Sequence, residues 1–349
     1  MTDQSFARRC LIVLGIGLVT VILFRTMSLL LLIFAAITFA AILGAARGLI
    51  TRVTDLKGPL ALVAAVGVVL GVLIGVFAFF GRQVANEFAT IQERLPQALA
   101  SVEAQLDEWG LGESARQLFD QGAGDVGAVL SQAGGYAIAA GSGVADFLLV
   151  FVGAIFLAAQ PQLYRRGVVA LVPKKREELA EQAMEDGSRA LQGWLRGQIL
   201  SMIAVTILTF AGLWALGVPA ALGLALIAGL LDFIPFVGPI IAAVPAILLA
   251  FLQGPSVALW TLGLYLLVQQ IQGNLLQPLV QRYAVDVPPA VLLFAVAAAG
   301  TLFGFLGILL SAPLTVVTYV LVQRLYVGGV LGKEIKVVTD KKEAAAKDA

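Results

Sequence analysis

Histidine is missing from this sequence altogether, cysteine occurs once, and only 13% of the residues are charged. Without histidine there is no HExxH metalloprotease helix, no Ser–His dyad and no histidine proton relay. An aspartyl intramembrane protease needs two carboxylates within the membrane. The only partners available to Asp232 are Asp146 and Asp286, and each falls near the predicted end of a span. No GxxxxGK[ST] string is present, so a P-loop nucleotide motor is excluded. The reading is a non-enzyme, with nothing that asks for a cofactor or a metal. Cys10 alone makes no intramolecular disulfide. A formal net charge of +1 points to neither a nucleic-acid partner nor an acidic substrate.

What fills the chain instead is apolar. Hydrophobic residues make up 60% of it, against about 45–50% in soluble domains even when glycine is counted. Runs near the length that crosses a hydrocarbon core occupy 11–24, 27–46, 59–81, 136–160, 199–216, 220–252, 256–276 and 290–327. The expected fold is an all-α polytopic membrane protein of about 6–8 transmembrane helices, two of its runs being re-entrant or broken-helix hairpins (220–252 and 290–327). The expected organisation is N-terminal spans over 1–81, an extracytoplasmic amphipathic segment over 82–135 and a span over 136–160. A cytoplasmic amphipathic linker over 161–198, a transport core over 199–327 and a cytoplasmic tail over 328–349 follow. The short first run, ending at Arg25, reads as one arm of a tight hairpin with the second. A signal peptide fits less well, since no A-x-A-like cleavage site follows.

Basic residues set the orientation. Arg8 and Arg9 place the N-terminus inside, and Arg47, Arg52 and Lys57 place the second connection there too. Residues 82–125 carry three arginines against eight acids and belong outside. Arg165, Arg166, Lys174, Lys175, Arg176, Arg189 and Arg196 return the chain to the cytoplasm, where the lysine-bearing tail keeps the C-terminus.

Between residues 199 and 281 a single Asp, Glu, Lys or Arg occurs, Asp232, within LLDFIPFVGP. A charge at the bilayer centre costs about 3 kcal/mol by insertion scales, so such residues face a polar cavity or a partner. Two roles are open to Asp232: meeting a cation, proton or polar solute, or capping the segment that starts at Ile234-Pro235. Pro235, Gly238 and Pro239 stop one helical arm and start another. Broken backbone within lipid requires protein or water to satisfy it. Two arms of about 13–16 residues favour a re-entrant hairpin over two full crossings. A second candidate turns at Gly304 and Gly307, with Pro313 beyond. FVGPIIA at 236–242 resembles FLGILLS at 305–311, and paired interrupted segments are the best pointer to a transporter's binding site.

Gln270, Asn274 and Gln277 recur at i, i+4 and i+7, with Gln269 and Gln272 on the adjacent face. This stripe either lines an aqueous path or bonds helix to helix. Interhelical bonds of this kind average only about 0.6 kcal/mol, a weak reason for so many amides. An amphipathic helix is expected over 83–111, interrupted or restarted at Pro96. The stretch 173–198 also reads as helical, with Lys174, Lys175 and Arg176 near anionic headgroups and Trp194 and Arg196 at the interface.

The order of these motifs resembles the autoinducer-2 exporter family of PerM-like predicted permeases. LVPKKR (171–176), GWLRGQ (193–198), GLLDFIPFVGPIIAAVPA (229–246), QQIQGNLLQP (269–278) and LFGFLGILLSAPL (302–314) carry the resemblance. It implies a bacterial inner-membrane transporter and a homo-oligomer. The implied cargo is either a small polar solute such as autoinducer-2 or a monovalent cation, sodium or lithium, exchanged for protons. It singles out Asp232, Pro235, Gly238, Pro239 and the 269–277 amides. The expected mechanism places a midplane site between the two hairpins and the amide-bearing helix, exposed alternately to each side.

Overall fold

The computed structural model describes residues 3–75, 78, 144–276 and 287–333, with side chains from Thr26 onward. The amphipathic run 83–111, Gln277, Arg282, Asp286 and the tail after Lys333 lie outside the described residues. Helix α1 runs unbroken over Asp3–Val53, 51 residues and about 77 Å. The hairpin expected at Arg25 is therefore absent. No glycine or proline stands in Phe24-Arg25-Thr26, so nothing interrupts the i→i−4 ladder. The two basic clusters expected on one side, Arg8–Arg9 and Arg47–Arg52, instead mark opposite ends of one rod, and the parity that placed the N-terminus is lost.

Helix α2 spans Pro59–Gly75, and α3 spans Val144–Ala159 and packs along α1. Phe39 meets Phe147 and Phe151 edge-on at 6.2 and 6.4 Å between ring centroids. The chain then bends by 89° into α4, Pro161–Val169. A 3₁₀ turn at Lys174–Arg176 leads into α5, Glu177–Ala215. The expected linker helix and the span after it are thus one 39-residue helix.

The first hairpin forms where the prolines and glycine placed it. Its arms are α6, Ala221–Leu231, and α7, Val237–Phe251. At 11 and 15 residues they extend about 17 and 23 Å, short of a hydrocarbon core of about 30 Å. Small residues let them approach: Ala221, Ala225 and Ala228 on one arm and Ala242, Ala246 and Ala250 on the other are all buried. Without a hydrophobic force between helices in lipid, such close packing is what holds hairpin arms together. Helix α8, Pro255–Ile271, packs on α7 and α5 and passes into a π-helix over Gln272–Leu276.

Helix α9, Pro289–Leu321, continues as a π-helix over Val322–Gly328. It is not straight. Gly304 adopts φ 62°, ψ −142°, a conformation close to one reserved for glycine. Gly307 returns against the carbonyl oxygen of Ala299 so closely that no Cβ would fit. Residues eight apart in a straight helix stand about 12 Å apart, so the chain doubles back here. Gly238 lies in the same way on the carbonyl of Leu231. The two strings that resemble one another thus make the same contact, each with a proline further along the returning arm (Pro245 and Pro313).

Three interior clusters follow. The largest joins α5 to α8 through Val205, Leu213, Leu224, Leu249 and Tyr265. A second joins the first half of α5 (Leu191, Trp194, Leu195) to the returning arm of α9 (Ala312, Val316, Val320). The third joins α1, α3 and Leu310. Outward faces carry large apolar side chains, among them Ile207, Trp214, Ile240, Trp260 and Phe294. That belt is far beyond what a soluble surface shows. Among the described residues, three helical stretches are long and apolar enough to cross a membrane (Thr26–Val53, Lys174–Ala215 and Pro289–Gly328), with α3 and α4 a bent pair. The chain is an all-α multi-pass membrane protein. Within Pro289–Gly328, the reversal at Gly304 makes two arms of what length alone counts as one.

Candidate functional site

Asp232 closes α6 in helical geometry, its amide bonded to the Ala228 carbonyl. The chain then turns within four residues. Val237 donates its amide to the carbonyl of Pro235 at 2.8 Å, with Phe236 between them at φ 65°, ψ −48°. This is the rare γ-turn of positive φ, strained for any residue with a Cβ. Such outliers cost about 1–3 kcal/mol and gather where function over-determines the backbone. Gly238 then packs on Leu231, so the turn has room for no larger residue.

The turn delivers the Asp232 side chain to a buried position, 3% exposed, between α5 and the end of α8. Gln272 donates Nε2–H to Oδ1 at 2.7 Å, and Ser201 donates its hydroxyl to Oδ2 at 2.9 Å. Gln198 donates Nε2–H to the Asp232 carbonyl at 2.8 Å and, more weakly, to Oδ2 at 3.3 Å. A second ring of bonds ties the donors together: Gln272 Nε2–H to the Ser201 hydroxyl oxygen at 3.1 Å and Gln269 Nε2–H to the side-chain Oε1 of Gln272 at 3.2 Å. Phe233, the next residue, meets Trp194 edge-on at 5.5 Å and packs against the cluster holding Ala312 and Val316. The site therefore touches both hairpins and both halves of α5.

No basic side chain bonds to Asp232 among the described residues; its three side-chain partners are all neutral. An ionised carboxylate offers about four acceptor positions, and three neutral donors leave one open. Such a site holds a negative charge in place without cancelling it. It suits a monovalent cation, a proton or the hydroxyl groups of a small polar solute.

Asp232 does not cap the segment at Ile234-Pro235, and α7 has no side-chain cap. Pro235 and Pro239 are half-buried and Gly238 buried, as turn residues rather than ligands. Of the amide stripe, Gln269 joins the network, whereas Gln270 and Asn274 are exposed. Gln270 and Asn274 share an outward face, whereas Gln269 and Gln272, three residues apart, share the face turned toward Asp232. Gln272, on what read as the adjacent face, is the ligand. It opens the π-helix over Gln272–Leu276, and such π turns are rare and recur at functional sites. Gln198 and Ser201 were missed, though their spacing of three and their place just inside an apolar run could have flagged them. Gly304, Gly307 and Pro313 build the second hairpin and make no bond to Asp232.

The site is not central in the apolar run. Ser201 lies five residues, about 7.5 Å, past the exposed Arg196, and about 22 Å from Leu216 at the other end. Along α5 the site thus sits nearer the Arg196 end than the Leu216 end. Beyond it, Asp186 is a second buried acid, 2% exposed and not anticipated from the sequence. Arg324 donates Nε–H to its Oδ2 at 2.6 Å and Arg189 donates Nη2–H to its Oδ1 at 2.9 Å. This triad clamps the end of the second hairpin to α5.

A model of the family described as AI-2E family transporter matches residues 11–326. The chain is 30% identical over 182 residues to the candidate transport protein YrrI of Bacillus subtilis strain 168, covering 51% of this chain and 52% of that protein. It is 34% identical over 170 residues to the candidate transport protein MT0215 of Mycobacterium tuberculosis, covering 48% and 46%. With the candidate permease PerM of Escherichia coli strain K12 the identity is 28% over 169 residues, 48% of each chain. The chain spans about half the length of the curated relatives it matches.

Proposed function

This chain belongs to the AI-2E transporter family, and from that premise we propose that it exports a small polar solute, of the kind of autoinducer-2, through a site built on Asp232. The observation that supports this reading is the buried carboxylate held by Gln198, Ser201 and Gln272 at a broken-helix tip, with no basic side chain bonded to it among the described residues. In a membrane that arrangement is costly unless a travelling group uses it. Movement of the first hairpin about its tip opens the carboxylate to one side and then the other. A proton on Asp232 alternates with the solute. The basic face from Arg165 to Arg176 lies in the cytoplasm of a bacterial cell, at the inner membrane, and the assembly is a homo-oligomer.

The uncancelled negative charge also favours a second reading, exchange of sodium or lithium for protons. Reconstituted vesicles separate the two. An exporter moves labelled solute in response to a proton gradient, and an antiporter changes internal pH when sodium or lithium is added. Asp232→Asn abolishes either coupled flux while leaving the protein folded. Unchanged flux in that variant removes Asp232 from the mechanism. Flux that never saturates and needs no gradient points to a channel instead.

A further inference from the structure

Helix α4 leaves the apolar helix α3 at 89°, so when α3 crosses the bilayer α4 lies along its surface. Among the described residues little covers it: no residue of α4 is buried, and Leu163, Tyr164 and Val168 are 61%, 42% and 49% exposed. At 100° per residue these three share one arc of the helix, while Gln162, Arg165 and Arg166 take the opposite arc. Leu171, 85% exposed, continues the apolar edge past the end of the helix. The 3₁₀ turn then adds Lys174, Lys175 and Arg176, all exposed. From 161 to 176 the chain holds five basic residues and no acid. The first acids, Glu177 and Glu178, open α5, and Glu181 is engaged by Arg165.

We propose that α4 and the following 3₁₀ turn form an interfacial binding site for anionic phospholipid headgroups. The apolar arc sinks to the boundary between headgroups and acyl chains, as in other surface-lying amphipathic helices. Arg166, Lys174, Lys175 and Arg176 take lipid phosphates, each contributing about 1 kcal/mol near an anionic surface. Arg165 stays with Glu181 and pins the helix to α5. The partner is a lipid surface rather than a protein because α4 leaves the apolar helix α3 at 89° and couples an exposed apolar arc to five basic residues without an acid. The site is independent of the solute and of Asp232.

Two measurements on the full chain test it. In the first, a nitroxide is placed at Val168→Cys in a Cys10→Ser background, in vesicles of phosphatidylcholine with and without phosphatidylglycerol. With phosphatidylglycerol the label is shielded from a water-soluble nickel chelate and reached by oxygen. A label equally open to the chelate in both vesicles overturns the proposal. In the second, lipids that co-purify with the protein are quantified by mass spectrometry. The wild type enriches phosphatidylglycerol over phosphatidylethanolamine. The combined variant Arg166→Gln, Lys174→Gln, Lys175→Gln, Arg176→Gln lowers that enrichment by at least about tenfold. Equal enrichment in the variant, or an equal loss when Arg47, Arg52, Lys57 and Lys333 are neutralised instead, overturns the proposal. The labelled chain keeps every basic residue, so misfolding of the combined variant leaves the first measurement decisive.

Discussion

The hydroxyl of Ser201 donates to Asp232 at 2.9 Å while accepting the amide of Gln272 at 3.1 Å. With the bond from Gln272 to Asp232 at 2.7 Å, the three side chains close a triangle in which each is bonded to the other two. Ser201→Ala removes a donor from a buried carboxylate, a loss of about 1.5–3 kcal/mol. We expect weaker solute dependence of flux and a lower melting temperature, with Ser201→Thr restoring both. Flux and melting temperature unchanged in the alanine variant would mean that the hydroxyl is incidental.

Gln272 and Gln270 offer a direct contrast. Replacement of Gln272 by Met keeps the side chain's length and removes the 2.7 Å bond to Asp232. Gln270→Met alters only an exposed position. Flux falls by tenfold or more in the first, corresponding to about 1.4 kcal/mol or more, and stays at wild-type level in the second. The reverse order would put the working face of this helix on the Gln270 side.

The turn at the first hairpin's tip separates strain from packing. Phe236→Gly relieves a positive φ, worth about 1–3 kcal/mol, against about 0.5–1 kcal/mol of added chain entropy. The melting temperature holds or rises, while flux changes if the strained turn participates in movement. Gly238→Ala has no such latitude, because its Cβ would occupy the Leu231 carbonyl. That variant loses the hairpin, seen as heightened proteolysis between α6 and α7.

Breaking the Asp186 triad tests the second buried acid. Asp186→Asn leaves Arg324 without its charge partner in a site where Asp186 is 2% exposed, and breaking a buried pair costs about 3–5 kcal/mol. Arg189, whose side chain is 51% exposed, contributes less than about 1 kcal/mol. Thermal unfolding in detergent should order Asp186→Asn far below Arg189→Ala. Similar melting temperatures for the two would show that the triad does not hold the hairpin.

Much of this architecture can be read in the residues because the membrane forbids alternatives. A lone acid in a stretch of some eighty residues with no other charged side chain, with proline and glycine beside it, left few places for Asp232 but a helix break. Gly304 and Gly307 marked the second reversal for the same reason. The N-terminal hairpin failed because Arg25 was given the meaning of a break, although arginine is a good helix former and only its charge is unusual there. Helical spacing separates the amides into two faces, but no residue type says which one meets the carboxylate: Gln269 and Gln272 turn toward Asp232, and Gln270 and Asn274 turn outward. Asp186 was passed over because it stands in a charged stretch where an acid looks solvated. Its burial depends on Arg324, 138 residues away, and no local pattern reports that.

Helix α5 joins Asp186, Trp194, Gln198 and Ser201 on one continuous rod. The triad grips the second hairpin at one level of that rod, and the donors grip the first hairpin's tip further along it. A twist of the rod about its own axis would strain both grips together, so the two hairpins share a common shaft through which movement of one is felt by the other.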